Sequence, residues 1–226
     1  MDWTEFWTIL SANGIILDAK QIEIFKRYQK ELIYWNEKIN LISRQDENNL
    51  LERHFIHSLS ILKYVDISQK ARCLDIGTGG GFPGLVLKIA RPDMYMFLLD
   101  SIKKKIKTTE MFAQHTGLRN INCLLGRAES ICNEKKYHKH FDIITSRAVA
   151  PTDKLIDWTL PLIKDSGRFI FLKGGDLAKE IDIAKRKYKE LTFEIKDINI
   201  LGCETINSGN KKVVVVSGDE NLTLHL

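Results

Sequence analysis

The chain has little proline and little cysteine, four of each in 226 residues, and it carries no low-complexity run and no internal repeat. That composition excludes a disordered or fibrous class and leaves an ordinary folded protein, 44% hydrophobic and 28% charged. Cys73, Cys123, Cys132 and Cys203 lie far apart with no C-x-x-C pair, which argues against zinc and against a secreted disulfide framework, so no metal is expected. Cys73 and Cys123 sit in strand-like stretches and read as small core residues. No apolar run approaches the ~20 residues of a membrane span. The opening MDWTEFWTIL starts with an acid and lacks a basic n-region, so it reads as an amphipathic helix rather than a signal peptide. The expectation is a soluble, cytoplasmic, monomeric protein built as one large α/β unit with an appendage.

Charge is unevenly spread. Residues 1–60 hold 7 Lys/Arg against 9 Asp/Glu and the remainder 27 against 20, so the net charge of +5 belongs to the second part. Its clusters are Lys103-Lys104-Lys105 with Lys107, Lys135-Lys136 with Lys139, Lys185-Arg186-Lys187 with Lys189, and Lys211-Lys212. Any one of them suits a solvated face, but several in one domain suit a polyanion such as nucleic acid.

Ile22, Phe25, Tyr28, Leu32 and Trp35 recur at steps of three or four, giving one apolar helical stripe, and a further helix is predicted over Asn48 to Tyr64. The period changes at Ala71. Strands are predicted near 71–76, 94–99, 120–125, 141–146 and 167–173, alternating with helices near 83–90, 102–116, 153–162 and 176–189. FEIKDINIL and KKVVVVSG end the pattern as a hairpin. The alternation implies a doubly wound, mostly parallel sheet with a C-terminal antiparallel hairpin, a Rossmann-like α/β fold over 66–226 preceded by a helical segment over 1–65.

The stretch RCLDIGTGGGFPGLVLKI offers two registers. Gly79-Gly80-Gly81-Phe82-Pro83-Gly84 fits the dinucleotide pattern G-x-G-x-x-G, but that register runs the strand through to Thr78 and buries the Asp75 carboxylate with no evident partner, at a cost of several kcal/mol. Asp75-Ile76-Gly77-Thr78-Gly79 fits the acidic-x-Gly-x-Gly turn of S-adenosylmethionine (AdoMet) methyltransferases and puts Asp75 at the carboxyl edge of the sheet, facing the cationic amino-acid end of AdoMet. Gly77, Gly79 and Gly81 then let backbone approach the ligand, and Pro83 opens the next helix. Asp100, 23 residues beyond Gly77, suits the ribose hydroxyls of either cofactor. Gly126-Arg127-Ala128-Glu129 discriminates: a backbone N–H at Ala128 beside the Glu129 carboxylate matches the edge of adenine. AdoMet is the expected cofactor, with three caps around an empty sheet edge as the bland alternative.

The fourth strand ends in Ser146-Arg147-Ala148, where enzymes acting on exocyclic amines carry a Pro-Pro-aromatic motif, and no cysteine nucleophile for pyrimidine C5 chemistry stands in that loop. Both absences point to an acceptor needing neither base nor covalent help, and guanine N7 is such an atom. Arg147 is then the residue expected to serve catalysis by positioning and electrostatics, on a phosphate, the guanine or the methionine carboxylate, with a structural salt bridge as its alternative.

Trp35-Asn36 with Asn40-Leu41, Arg53-His54 with His57-Ser58, Asp75 to Gly84, Leu99-Asp100-Ser101, Gly126 to Glu129, Ser146 to Ala148 and Leu172-Lys173-Gly174 together resemble the RsmG (GidB) family of bacterial small-subunit ribosomal RNA methyltransferases, over nearly the whole chain. The resemblance implies AdoMet-dependent N7 methylation of a guanine in 16S ribosomal RNA, free or in the small subunit, with AdoMet contacts on Gly77, Phe82, Ala128, Glu129 and Arg147. Lys104, Lys105 and Lys173 are the expected RNA contacts, although family members often carry arginine in the run after Ser101, where lysine lacks bidentate geometry. Arg53, His54 and His57 are read as pinning the helical segment to the sheet, with RNA contact as the alternative. Other readings are methylation of another RNA base or a small molecule, and an AdoMet-binding assembly factor without catalysis.

Overall fold

The computed structural model describes residues 1–218. Helices α1 (Trp3–Ala12) and α2 (Ala19–Ile39) both begin with an aspartate cap: Asp2 and Asp18 accept backbone N–H bonds while Glu5 and Gln21 reach back, two complete capping boxes. The helix expected over 48–64 is not continuous. A 3₁₀ segment (Arg44–Asn49) leads into a π-helical turn (Leu51–Ile56) and then the short helices α3 (His57–Leu59) and α4 (Ile61–Tyr64). Such turns concentrate at functional positions, and this one presents Arg53 and His54.

The strands are β1 (Arg72–Ile76), β2 (Tyr95–Asp100), β3 (Ile121–Leu125), β4 (Phe141–Arg147), β5 (Ile163–Gly174), β6 (Leu191–Asp197) and β7 (Lys211–Gly218). Between them lie α5 (Gly84–Ala90), α6 (Lys103–His115), α7 (Ala128–Ile131), α8 (Thr152–Thr159), α9 (Ala178–Lys187) and α10 (Glu204–Asn207). The sheet order is β3-β2-β1-β4-β5-β7-β6, parallel through β5 and antiparallel where β7 inserts between β5 and β6. Chain order reverses between β1 and β4, so the crevice at their carboxyl ends is the switch point where such sheets bind ligands.

Successive residues of a strand point to opposite faces, and both faces are covered. Val213 and Val215 join the core that holds α1, α2, α5 and α6, while Val214 and Val216 join the one beneath α8 and α9. Phe6, Phe25, Tyr28 and Leu32 of the helical segment therefore lie in the same core as Cys73, Met96 and Ile170 of the sheet. The change of period at Ala71 marks a change of secondary structure and not a packing boundary. No described helix is long and apolar enough to cross a membrane.

Candidate functional site

Strand β1 ends at Ile76, so the tight turn begins at Gly77 and the AdoMet register is the one the backbone adopts. Gly77 takes φ +65°, and a Cβ there would stand 2.5 Å from Val149 Cγ2, so the residue needs both the conformation and the space. Gly79, at φ +57°, has no atom nearer than 3.9 Å to where a Cβ would stand. That open face, between Gly77 and Asp100, leaves room for a ligand to approach bare backbone.

Asp75 corrects the sequence reading. It is fully buried, yet it has partners: Oδ2 accepts the Gly84 N–H at 2.9 Å and Oδ1 accepts the Thr145 hydroxyl at 3.1 Å. Its carboxylate ties the start of α5 to β4 and does not face the crevice. Burial raises its pKa to about 6 against the pull of those hydrogen bonds. Asp100 closes β2 at 7% exposure, with Oδ2 accepting the Gly79 N–H at 2.9 Å and Oδ1 the Ile102 N–H at 2.8 Å. Each oxygen keeps a lone pair free for a ribose hydroxyl. One strand further out, Ala128 and Glu129 open α7, where the first N–H groups of a helix have no partner within it; Ala128 is buried and Glu129 exposed. Gly77, Gly79, Asp100, Ala128 and Glu129 thus line the carboxyl ends of three adjacent strands, an arrangement that fits AdoMet laid across them.

Phe82 sits in the glycine turn but is core on one side. Its ring packs against Tyr28 and Phe55, with His54 at 4.8 Å and the Arg147 guanidinium at 4.8 Å over its face. Arg147, at the end of β4, has no carboxylate within ion-pair reach among the described residues. Instead Nη2 donates to His54 Nδ1 at 2.7 Å and Nη1 to the Arg53 carbonyl at 3.3 Å. Because guanidinium only donates, His54 Nδ1 must be the bare nitrogen, leaving its proton on Nε2, 3.4 Å from Asp46 Oδ2. Burial first, then the Arg147 charge, lowers the His54 pKa to about 3, and the same two causes hold His57 well below the usual histidine range. Arg53 pairs with Asp46 at 2.9 Å. The helical segment therefore holds Arg147 from behind, which makes His54 and Asp46 part of the support of Arg147, in addition to the helix docking expected for His54.

Of the residues expected to touch RNA, Lys104 is exposed and Lys105 half-buried on α6, and neither has an ion-pair partner among the described residues. Lys173 does not belong with them. Its side chain is 9% exposed, pairs with Glu180 at 2.8 Å and donates to the Ala150 carbonyl at 2.5 Å, so it fastens β5 to α9 and the β4 loop. Of the other basic clusters, Lys136, Lys139, Arg186, Lys187 and Lys212 are each paired with a neighbouring carboxylate.

Two contacts escape sequence reasoning. The Tyr28 hydroxyl, on an otherwise apolar stripe, donates to the Gly80 carbonyl, and Thr109 donates to the Gly79 carbonyl at 2.8 Å. A hydroxyl on a stripe that buries completely is the signal for the first, since buried hydroxyls need partners. Burial keeps the Tyr28 pKa well above the ordinary phenol range, so it remains a donor.

Comparison with known proteins agrees with this geometry. The family profile described as "rRNA small subunit methyltransferase G" matches residues 21–208. Proteins named ribosomal RNA small subunit methyltransferase G are similar to this chain: one from Thermoanaerobacter sp. (strain X514) is 40% identical over 82% of this chain and 77% of its own length. Another, from Clostridium botulinum (strain Loch Maree / Type A3), is 34% identical over 93% and 90%. Among solved structures, a SAM dependent methyltransferase from Aquifex aeolicus shares the fold at TM-score 0.56 and 14% identity, covering 76% of this chain and 95% of that one. TrmN from Thermus thermophilus does so at TM-score 0.56 and 17% identity, covering 75% and 53%. With a profile match over most of its length and relatives at this identity, the chain belongs to the ribosomal RNA small subunit methyltransferase G family.

Proposed function

We propose that the protein transfers a methyl group from AdoMet to N7 of a guanine in 16S ribosomal RNA, acting in the cytoplasm as a monomer on the free RNA or on the small subunit. AdoMet, when bound, supplies an electrophilic methyl group on its sulfonium. Gly77 and Gly79 would receive it against bare backbone, Asp100 would hold the ribose, and Ala128 with Glu129 would read the adenine edge. Phe82 and Arg147 would flank the methionine side, and Lys104 and Lys105 would meet RNA phosphate.

The observation that carries the N7 assignment is the surrounding of Arg147. Burial and the Arg147 charge make His54 and His57 weak bases, Asp75 is enclosed with both oxygens engaged, Asp46 is paired with Arg53, and Glu129 stands three strands away, so among the described residues Arg147 has no strong, unpaired base beside it. An amine acceptor would have to lose a proton to such a group, whereas N7 attacks with a lone pair already exposed. Arg147, locked by His54 and the Arg53 carbonyl, contributes position and charge without titrating at working pH, its pKa lying near 10 by burial.

Mapping methyl groups on 16S ribosomal RNA from cells with and without the gene tests the acceptor, and single-turnover rates test the mechanism. The rate should vary little between about pH 6.5 and 8.5, with Arg147→Ala slower at every pH. A rate rising tenfold per pH unit, flattened by substituting His54, His57 or Glu129, would establish a catalytic base and remove the ground for N7.

A further inference from the structure

A second cleft, of ≈ 420 Å³, opens on the far side of Arg147 from Asp100 and Glu129. Its walls come from three distant parts of the chain: the π-helical turn with Arg53 and His57, the end of β4 with Arg147, and the segment 205–211 that leads from α10 into β7 and contributes Lys211. Three cations thus converge on a space in which Asp46, already paired with Arg53, is the one carboxylate among the described residues.

Lys211 has no ion-pair partner among the described residues, in contrast to its neighbour Lys212, which is paired with Asp197. Its stem passes so close to Gly209 that a Cβ on that glycine would stand 3.3 Å from Lys211 Cε, and so close to Gly174 that one there would stand 3.6 Å from Nζ. Both glycines leave room for the Lys211 side chain, which lines the cleft. His57, 6% exposed and lining the same cleft, has an Nε2 with no hydrogen-bond partner among the described residues. As a neutral imidazole it would offer an oxyanion a donor there in the tautomer that carries its proton on Nε2. The charges of Arg147 and Lys211 also depress the His57 pKa, next after burial itself, which reports a positive potential at this depth.

Resting on the ribosomal RNA reading above, we propose that this cleft binds a phosphodiester of the RNA next to the target nucleotide, with Lys211 and Arg53 as its charged walls. A phosphodiester carries one negative charge and two outward oxygens, so it matches a surplus of positive charge reached from two sides. Its position beside Arg147 would then set the register of the target base against the cofactor, as phosphate contacts do in general. The competing source of the same oxyanion chemistry is the methionine carboxylate of AdoMet.

The experiment uses the full chain, and as probe small ribosomal subunits from cells lacking the gene. Lys211→Met keeps the stem and removes the charge. Its affinity for the subunit should fall roughly tenfold at low salt. The slope of log affinity on log salt between about 50 and 200 mM should shrink by about one phosphate's worth. AdoMet affinity from calorimetry should stay as in the unaltered protein, and Lys211→Arg should keep the original slope. A Lys211→Met protein that melts like the original and shows the same slope and affinity would overturn the proposal. So would loss of AdoMet affinity in that variant, which would assign the cleft to the cofactor carboxylate. Failure of the unaltered protein to methylate the subunit or its RNA would overturn the ribosomal RNA reading itself, and this site with it.

Discussion

Replacing Tyr28 by phenylalanine deletes one oxygen from the back wall of the cofactor turn and changes nothing else that packs there. The ring would keep its neighbours Phe55 at 5.4 Å, Phe112 at 5.5 Å and Phe82 at 5.9 Å, so the cavity cost of about 3–5 kcal/mol typical of aromatic-to-alanine changes does not arise. What is lost is the only donor that this side chain offers the Gly80 carbonyl, a buried group. Leaving a buried acceptor unmatched costs about 1–3 kcal/mol, which urea unfolding monitored at fixed pH will report as a lower midpoint with unchanged slope. The bond also holds the middle of the turn whose Gly77 and Gly79 are proposed to receive AdoMet, so part of this energy should reappear as weaker AdoMet binding. Linkage sets its limit: affinity cannot fall by more than the bond's own contribution, roughly 10- to 100-fold at about 1.4 kcal/mol per decade. Calorimetry gives the second number. An unfolding midpoint equal to that of the original protein would refute the hydrogen bond. An AdoMet loss exceeding the stability loss would refute the indirect role and put Tyr28 in contact with the ligand.

Asp100→Ala removes the free lone pairs meant for the ribose and releases the Gly79 and Ile102 N–H groups, so AdoMet affinity should fall by about tenfold or more, and a change below about threefold would count against the ribose contact. Gly77→Ala combines a left-handed conformation costing about 1–2 kcal/mol with a 2.5 Å approach to Val149, so it should lower both the melting temperature and AdoMet affinity; a variant with neither change would show that the Val149 loop yields freely. Stability should also fall on acidification below about pH 6.5. His54 and His57 have folded pKa values below the unfolded 6.5, so their contribution is complete above that pH and is lost as pH falls, for His54 down to about 3, with a slope of up to ~1.4 kcal/mol per pH unit each. Asp75 acts with the opposite sign: its folded pKa of about 6 lies above the unfolded 3.8, so it adds stability as pH falls through that interval and offsets roughly one of the two histidines. Urea midpoints at pH 7 and pH 5 measure the remainder, and His54→Gln should flatten the dependence; identical midpoints would contradict the buried neutral histidines.

Local pattern carries the strands and most helices into the sequence because burial on both faces leaves near-continuous apolar runs, and 71–76, 94–99, 120–125, 141–146 and 167–173 fall on β1 to β5 within a few residues. The glycine turn and Asp100 were readable for the same local reason. Pairings across the sheet were not. The partners that make a buried Asp75 tolerable are the Gly84 N–H, nine residues on, and the Thr145 hydroxyl, 70 residues away, and the chain folds both onto it only in the finished turn and sheet. In the sequence Lys173 reads as an RNA contact because its counter-charge, Glu180, belongs to another element and is invisible locally. The stripe on α2 announced that it would be buried but not against what, and the answer, the glycine turn itself, is why the Tyr28 hydroxyl's role escaped notice.

The insertion of β7 between β5 and β6 bears on how this gene tolerates interruption. Because the strand that finishes the sheet is an interior one, a stop codon or frameshift before Lys211 would not trim an edge; it would unzip two ladders at once and bare the flank of β5, whose Phe169-Ile170-Phe171-Leu172 is among the most apolar segments of the chain. A bared hydrophobic strand recruits other strands, so such alleles should yield insoluble product and behave genetically as complete losses, even though every residue proposed to hold AdoMet lies upstream of the break.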